Sequence, residues 1–233
     1  MALELDAYFD RRRLKRRLAL WRLAAVVALM VLVAILVDDL AGVDGFLPGG
    51  RPYVARLDVT GIITDNRDRL ERLNAIAKDT GAKALIVAID SPGGTVVGGE
   101  SLHRALRDVA LRKPVVAVLG TVAASAGYMT AVAADHIVAQ EGTLTGSIGV
   151  IFQTAEITGL LEKLGVEPLT VKSGVLKAVP SPFERLTPGG RSATQGIVDD
   201  IQRMFLGLVR RRRGLSDEAL APYADGRIVT GRQ

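Results

Sequence analysis

The 233-residue chain contains no cysteine and only two histidines. Without a thiol there is no disulfide framework, no thiolate metal site and no cysteine nucleophile. A chain free of thiols also suits an oxidising space outside the cytoplasm, where a stray cysteine can mispair. His103 and His136 lack any H-x-x-x-H or H-x-E neighbour, so both read as structural and no metal site is expected. A Ser-His-Asp triad thereby loses its obvious base. No G-x-x-x-x-G-K phosphate loop occurs, and no cofactor is expected. Aromatic residues make up 4% of the chain, and lysine is scarce, seven against 23 arginines.

An excess of charge is also missing from most of the chain, although the formal net charge is +5. Residues 1–37 hold seven basic and three acidic side chains, which leaves 23 basic against 22 acidic in the remainder. The body is nearly neutral. A basic footprint for a phosphate backbone is therefore not expected, nor is nucleic-acid binding.

What the chain does have begins with a long apolar run. From Leu18 to Val37 it reads LALWRLAAVVALMVLVAILV, with Arg22 as the only charge. Twenty helical residues cover about 30 Å, the hydrocarbon thickness of a bilayer. Arg22 can snorkel to the headgroups and Trp21 suits the interface. RRRLKRR (Arg11 to Arg17) precedes the run, and Asp38, Asp39 and Asp44 follow it. Basic residues stay inside, so the expected topology is N-in and C-out, with the body outside the cytoplasm. A cleaved signal peptide is the rival, but the run is long for one and lacks a clear A-x-A site. The expected organisation is a basic tail at 1–17, an anchor at 18–37, a linker at 38–52 and one domain at 53–233, a length that suits a single core.

The domain alternates strand and helix patterns. Tyr53 to Gly61, Ala84 to Asp90, Pro114 to Gly120, Ile137 to Ala139 and Pro168 to Lys172 read as strands. Asp65 to Lys78, the stretch through Leu102 and Leu106 to Ala110, Ser125 to Ala134, Ile157 to Leu164 and Pro188 to Arg213 read as helices. The apolar strands predict an α/β sheet covered on its faces, with active groups at strand ends and helix starts. The arginine run 210–213 reads as a solvated face at a helix end.

Three segments can carry chemistry. Ser125, in AASAG at the start of a predicted helix, has small neighbours and lies where free amides and the helix dipole favour an oxyanion. A plain N-cap is the alternative. SPGG (Ser91 to Gly94) ends a strand, and its amides can face developing negative charge; a tight turn is the alternative. Lys172 and Lys177 bracket a Gly- and Pro-rich loop. An unperturbed lysine is only roughly 0.04% neutral at pH 7, so service as a base requires destabilising its ammonium by roughly 4.6 kcal/mol. Val175, Leu176 and Val179 could line the apolar pocket that does so, and a solvated loop lysine is the alternative.

Taken in order, DSPGG, AASAGY, TGSIGV (Thr145 to Val150), KSGVLKAVPSPF and ADGRIVTGRQ resemble the motifs of the signal peptide peptidase A family, single-domain form. The resemblance implies a ClpP/crotonase-like α/β fold and a membrane-bound serine endopeptidase with a Ser-Lys dyad. It places the nucleophile on Ser125, the general base on Lys177, the oxyanion donors on the backbone of Gly94 and Ser125, and the lysine-orienting serine on Ser147. It further implies a homo-oligomer whose dyad is shared between protomers, acting on remnant signal peptides and other unfolded apolar segments. Ala126 stands where many relatives have glycine, and Ala178 where an acidic residue is frequent. Relatives continue past the position of Gln233 with a further helix and strand. The stomatin-operon peptidases also pair Ser with Lys. Outside the peptidases, the rivals are a crotonase-like acyl-CoA enzyme and a non-catalytic membrane scaffold.

Overall fold

The computed structural model describes residues 17–33 and 52–233. The chain divides into two units, Met1–Pro52 and Tyr53–Gln233. In the first, residues 17–33 form a helix, α1, with its side chains exposed. Among the described residues no helix is long and apolar enough to cross a membrane. The expected anchor runs on to Val37, and its last four residues lie outside the described residues, as do residues 1–16 of the basic tail and most of the linker.

The second unit is α/β. Its strands are β1 (Tyr53–Ile63), β2 (Ala82–Gly94), β3 (Val115–Ala124), β4 (His136–Val138), β5 (Leu144–Gly146) and β6 (Ile228–Thr230). Between them lie α2 (Arg67–Lys78), α3 (Val96–Ala110), α4 (Ala126–Ala131), α5 (Thr158–Lys163), α6 (Pro188–Arg213) and α7 (Asp217–Leu220). The sheet order is β1-β2-β3-β5-β6, with β4 also pairing β3. Only the β5–β6 pair is antiparallel. β3 serves two neighbours on one edge: Val116 to Val118 pair with β4, and Val122 to Ala124 pair with β5.

Local chemistry explains the helix ends. Asn66 caps α2 by accepting from the Arg69 amide, Thr95 caps α3 through the Gly98 amide, and Thr187 caps α6 through the Gly190 amide. Pro188 opens α6 where its missing N–H costs nothing, and Gly214 closes it in the left-handed conformation.

The main core joins β1, β2 and β3 to α2, α3 and α4 through Val59, Leu73, Leu85, Val87, Leu102, Leu106, Val115 and Ala131. Contrary to expectation, burial alternates along β2 and the first part of β3, so among the described residues this sheet is covered on one face. Ile86 and Val118 lie on the open face. Their apolar character made the strands read as buried on both sides.

A second cluster, Met129, Ile148, Phe205, Val209 and Leu220, seats α6 on α4. Phe205 is 1% exposed. Phe205→Ala is expected to cost about 3–5 kcal/mol, because little can collapse into the void. A shift of the urea midpoint equivalent to under 1 kcal/mol would contradict this packing.

Pro168 to Lys172 does not form the expected strand. Leu169 and Val171 are 93% and 91% exposed, and no neighbouring strand offers a ladder, so β propensity has nothing to act on. Conversely β5 and β6 were not legible as strands, because each has only three residues and depends on its partner.

Candidate active site

Ser125 stands at the joint between β3 and α4 with φ 53° and ψ −119°, a conformation that side chains seldom adopt. Strain of this kind costs of order 1–3 kcal/mol and persists only where surrounding bonds over-determine it. Here the Ser125 amide donates to the Gly146 carbonyl at 2.9 Å, and the Ser125 carbonyl accepts from the Met129 amide at 2.8 Å. Its hydroxyl caps no helix amide. The N-cap alternative is therefore not what this serine does.

The end of β2 closes the other side. SPGG is not a free turn, because β2 continues through it and pairs Ile62 with Gly93 and Ile63 with Gly94 beyond a bulge. Ser91, fully buried, donates from Oγ to the Gly61 carbonyl at 2.5 Å and accepts from the Gly93 amide at 3.1 Å. Gly93 has φ 123°, and a methyl there would lie 2.8 Å from the Ser125 Cβ and 3.2 Å from its Oγ. Asp90 accepts from the Val122 amide at 3.1 Å, which ties β2 to β3 just before the serine. The signal for Ser91 and Asp90 was present in DSPGG but gave no role to either side chain.

The small residues around Ser125 are steric requirements. A Cβ on Gly127 would lie 2.9 Å from the Ser91 carbonyl oxygen, and one on Gly99 would lie 3.0 Å from the Ala126 methyl. The Ala126 methyl is accommodated because Gly99 faces it.

Ser147 follows Gly146, whose carbonyl holds the Ser125 amide. Its φ is 51°, and its own amide donates to the Arg227 carbonyl at 2.8 Å. Ser125 and Ser147 are thus brought to one corner of the sheet, each half-buried. The Ser125 amide, expected as an oxyanion donor, is already spent on Gly146, so donors next to this serine have to come from the following turn of α4 or the end of β2.

Lys177 sits elsewhere, in an exposed turn closed by its amide donating to the Gly174 carbonyl at 3.0 Å. Among the described residues no hydrogen bond joins it to Ser125 or Ser147. The expected apolar pocket does not form within one chain either: Val175 and Leu176 are exposed and Val179 only half-buried. The physical reason is that residues 151–189 contain no buried residue at all. Lys172, the loop's other lysine, pairs with Glu184 across the base of the loop. That pairing holds the Glu184 carboxyl below its ordinary range.

His103 is buried, and its Nδ1 faces the Met129 carbonyl at 2.9 Å. Burial, reinforced by Arg212, Arg107 and Arg211, pushes its pKa below 6.5, with the Met129 bond opposing. The fold therefore favours neutral His103, while the unfolded chain takes up a proton as pH falls through 6.5. Its contribution is complete above that value and is lost on acidification. Urea midpoints at pH 7.5 and 5.5 should differ less in His103→Gln than in wild type; an equal or larger difference would refute the assignment.

Known proteins share the sequence that builds this corner. Residues 107–233 match the model of peptidase family S49. The chain is 38% identical over 190 residues to a candidate protease of Synechocystis sp., covering 81% of this chain and 68% of that protein. The chain belongs to peptidase family S49. It is also 32% identical over 194 residues to a candidate signal peptide peptidase A of Enterococcus faecium, covering 77% of this chain and 56% of the relative. A chloroplastic serine protease of Arabidopsis thaliana is 30% identical over 200 residues, which cover 80% of this chain and 30% of that protein. The chain thus spans between roughly a third and two thirds of these relatives' lengths. Among solved structures, a ClpP1 variant from Listeria monocytogenes aligns with a TM-score of 0.42 and 14% identity, covering 74% of this chain and 80% of that one. Membership places the chain among serine peptidases, the class the motifs implied.

Proposed function

We propose that this family member is a Ser-Lys endopeptidase with Ser125 as nucleophile and Lys177 as general base. The observation that carries the reading is Ser125 itself, held in a strained turn by backbone bonds on both sides while its hydroxyl caps nothing. In the reaction, the neutral Lys177 amine takes the Ser125 proton as Oγ attacks a peptide carbonyl carbon. The oxyanion is received by backbone amides, Gly94 on β2 and the first amide of α4 at Ala126. Lys177 returns the proton to the leaving amine, and water activated by the same lysine releases the acyl group. Ser147 orients the lysine amine. The end of β2 lies against Ser125 in a ClpP/crotonase-like arrangement.

Lys177 reaches Ser125 from a neighbouring copy. Supporting this, residues 151–189 present Ile151, Phe152, Leu160, Leu164, Leu169 and Val171 to solvent. An apolar surface of that extent is a contact surface waiting for a partner. The same burial would desolvate Lys177, which a lone chain leaves exposed.

The substrates proposed are peptides, foremost remnant signal peptides and other unfolded apolar segments; the Enterococcus relative's name, signal peptide peptidase, supports the first of these. The apolar run 18–37 keeps the site at a bacterial inner membrane, N-in with the catalytic unit outside the cytoplasm. The test mixes Ser125→Ala and Lys177→Ala chains before assembly. Each is inactive alone, and the mixture regains turnover of a fluorogenic apolar peptide. A mixture as inactive as its components would rule out a shared dyad.

A further inference from the structure

The far end of α4 is held in a way that neither the motifs nor the proposed chemistry uses. From Tyr128 onward, the carbonyls of Tyr128, Thr130 and Ala131 are taken by backbone amides of Val132, Ala133 and Ala134. Those of Met129, Val132, Ala133 and Ala134 are met by side chains of other helices. His103 on α3 bonds Met129, and Arg107 on α3 donates to Ala133 at 3.0 Å. Arg212 on α6 donates from Nε to Val132 and from Nη2 to Ala134, both at 3.1 Å. Asp135, which accepts from the Val115 amide, lies 3.4 Å from Arg107 and 3.8 Å from Arg212 and locks the cluster to β3.

The arginine run was expected to be a solvated face, yet the Arg212 side chain is only 25% exposed. A guanidinium is a rigid fork, and here its two prongs span two carbonyls of one turn, which fixes orientation as well as distance. Cationic donors at this end also complement the direction of the helix dipole. α6 braces the site a second time through Gln202, whose Nε2 donates to the Ile148 carbonyl, next to Ser147, and to the Ala224 carbonyl.

We infer that Arg212 is a positioning residue for the reaction: by gripping carbonyls of the turn that follows α4 it sets the angle at which the start of α4 presents Ser125. This rests on the reading of Ser125 as nucleophile. α4 has only six residues, so a tilt at its far end is passed to the serine with little attenuation. Misplacement of a nucleophile by about 1 Å can cost about a hundredfold in rate.

The experiment uses the full chain in detergent and measures peptide turnover together with the rate of labelling by a fluorophosphonate acylating probe. Arg212→Ala is expected to lose about a hundredfold in kcat and in labelling rate, with KM within about twofold of wild type. Arg212→Lys, which keeps the charge but not the fork, recovers about tenfold of that loss. Wild-type labelling in folded Arg212→Ala, or a loss confined to KM, overturns the inference. Should that variant fail to fold, Arg212→Lys decides, and a wild-type labelling rate there overturns it as well. Ser125→Ala run in parallel separates the two readings: continued turnover in it removes the nucleophile, whereas its silence beside a fully reactive Arg212→Ala removes only the brace.

Discussion

Ser125→Ala and Lys177→Ala should each lower peptide turnover at least about a thousandfold while leaving the chain folded, since dyad members act as one unit and their losses do not add. Folding is expected to survive for different reasons at the two positions. At Ser125 the hydroxyl caps no helix amide, and the bonds that fix the turn are backbone bonds. Alanine adopts the same φ 53° that serine already bears, so the strain is common to both chains and little stability is lost. At Lys177 the side chain is exposed, and the turn is closed by its amide. In the mixing experiment, random assembly puts an intact serine beside an intact lysine in about a quarter of sites, which sets the activity regained. Circular dichroism and size-exclusion profiles matching wild type make the loss chemical. Turnover above a tenth of wild type in either variant would end the dyad assignment.

Gly94→Ala should unfold or severely destabilise the chain, although it adds one methyl group. The added Cβ would lie 1.9 Å from the Ile63 carbonyl oxygen and 2.6 Å from the Ile63 carbonyl carbon and nitrogen. These are backbone atoms of the paired strand β1, and the same Ile63 oxygen accepts from the Thr95 amide at 2.8 Å. Nothing there can rotate aside, so β1 must separate from the end of β2, and the seat of Ser125 goes with it. A cost above about 3 kcal/mol is expected, at the upper end for overpacking. In a unit of this size that is a fall in Tm of at least about 6 °C. Gly159→Ala is the control, because a methyl there meets nothing within 4 Å. A Gly94→Ala chain melting within about 2 °C of wild type would show that the close approach is not real.

The legible part of this protein was whatever depends on short-range pattern. Helical spacing in Asp65 to Lys78 and Pro188 at the head of α6 led to elements found within two residues of their expected bounds. The order of motifs led to the family, because each is a local answer to a local demand: small residues where strand end and helix start crowd a serine, glycines where backbones touch. Ser125 was legible as a candidate for that reason, while the Ser125 amide as a donor was not. Its fate depends on Gly146, which is distant in sequence and near only because β5 pairs β3.

By itself the sequence determined the α/β alternation and the neutral body behind a basic, apolar N-terminal segment, since periodicity and residue inventory need no third dimension, and the order of its motifs offered the serine and lysine proposed as the dyad. Tertiary structure alone decided that SPGG is strand rather than turn, that Pro168 to Lys172 has no partner to pair with, that Arg212 grips the turn after α4 instead of facing water, and that Lys177 is not joined to Ser125 within one chain. Each of these depends on which backbone groups meet across the fold, and a hydrogen bond exists only where packing has first brought its donor and acceptor together.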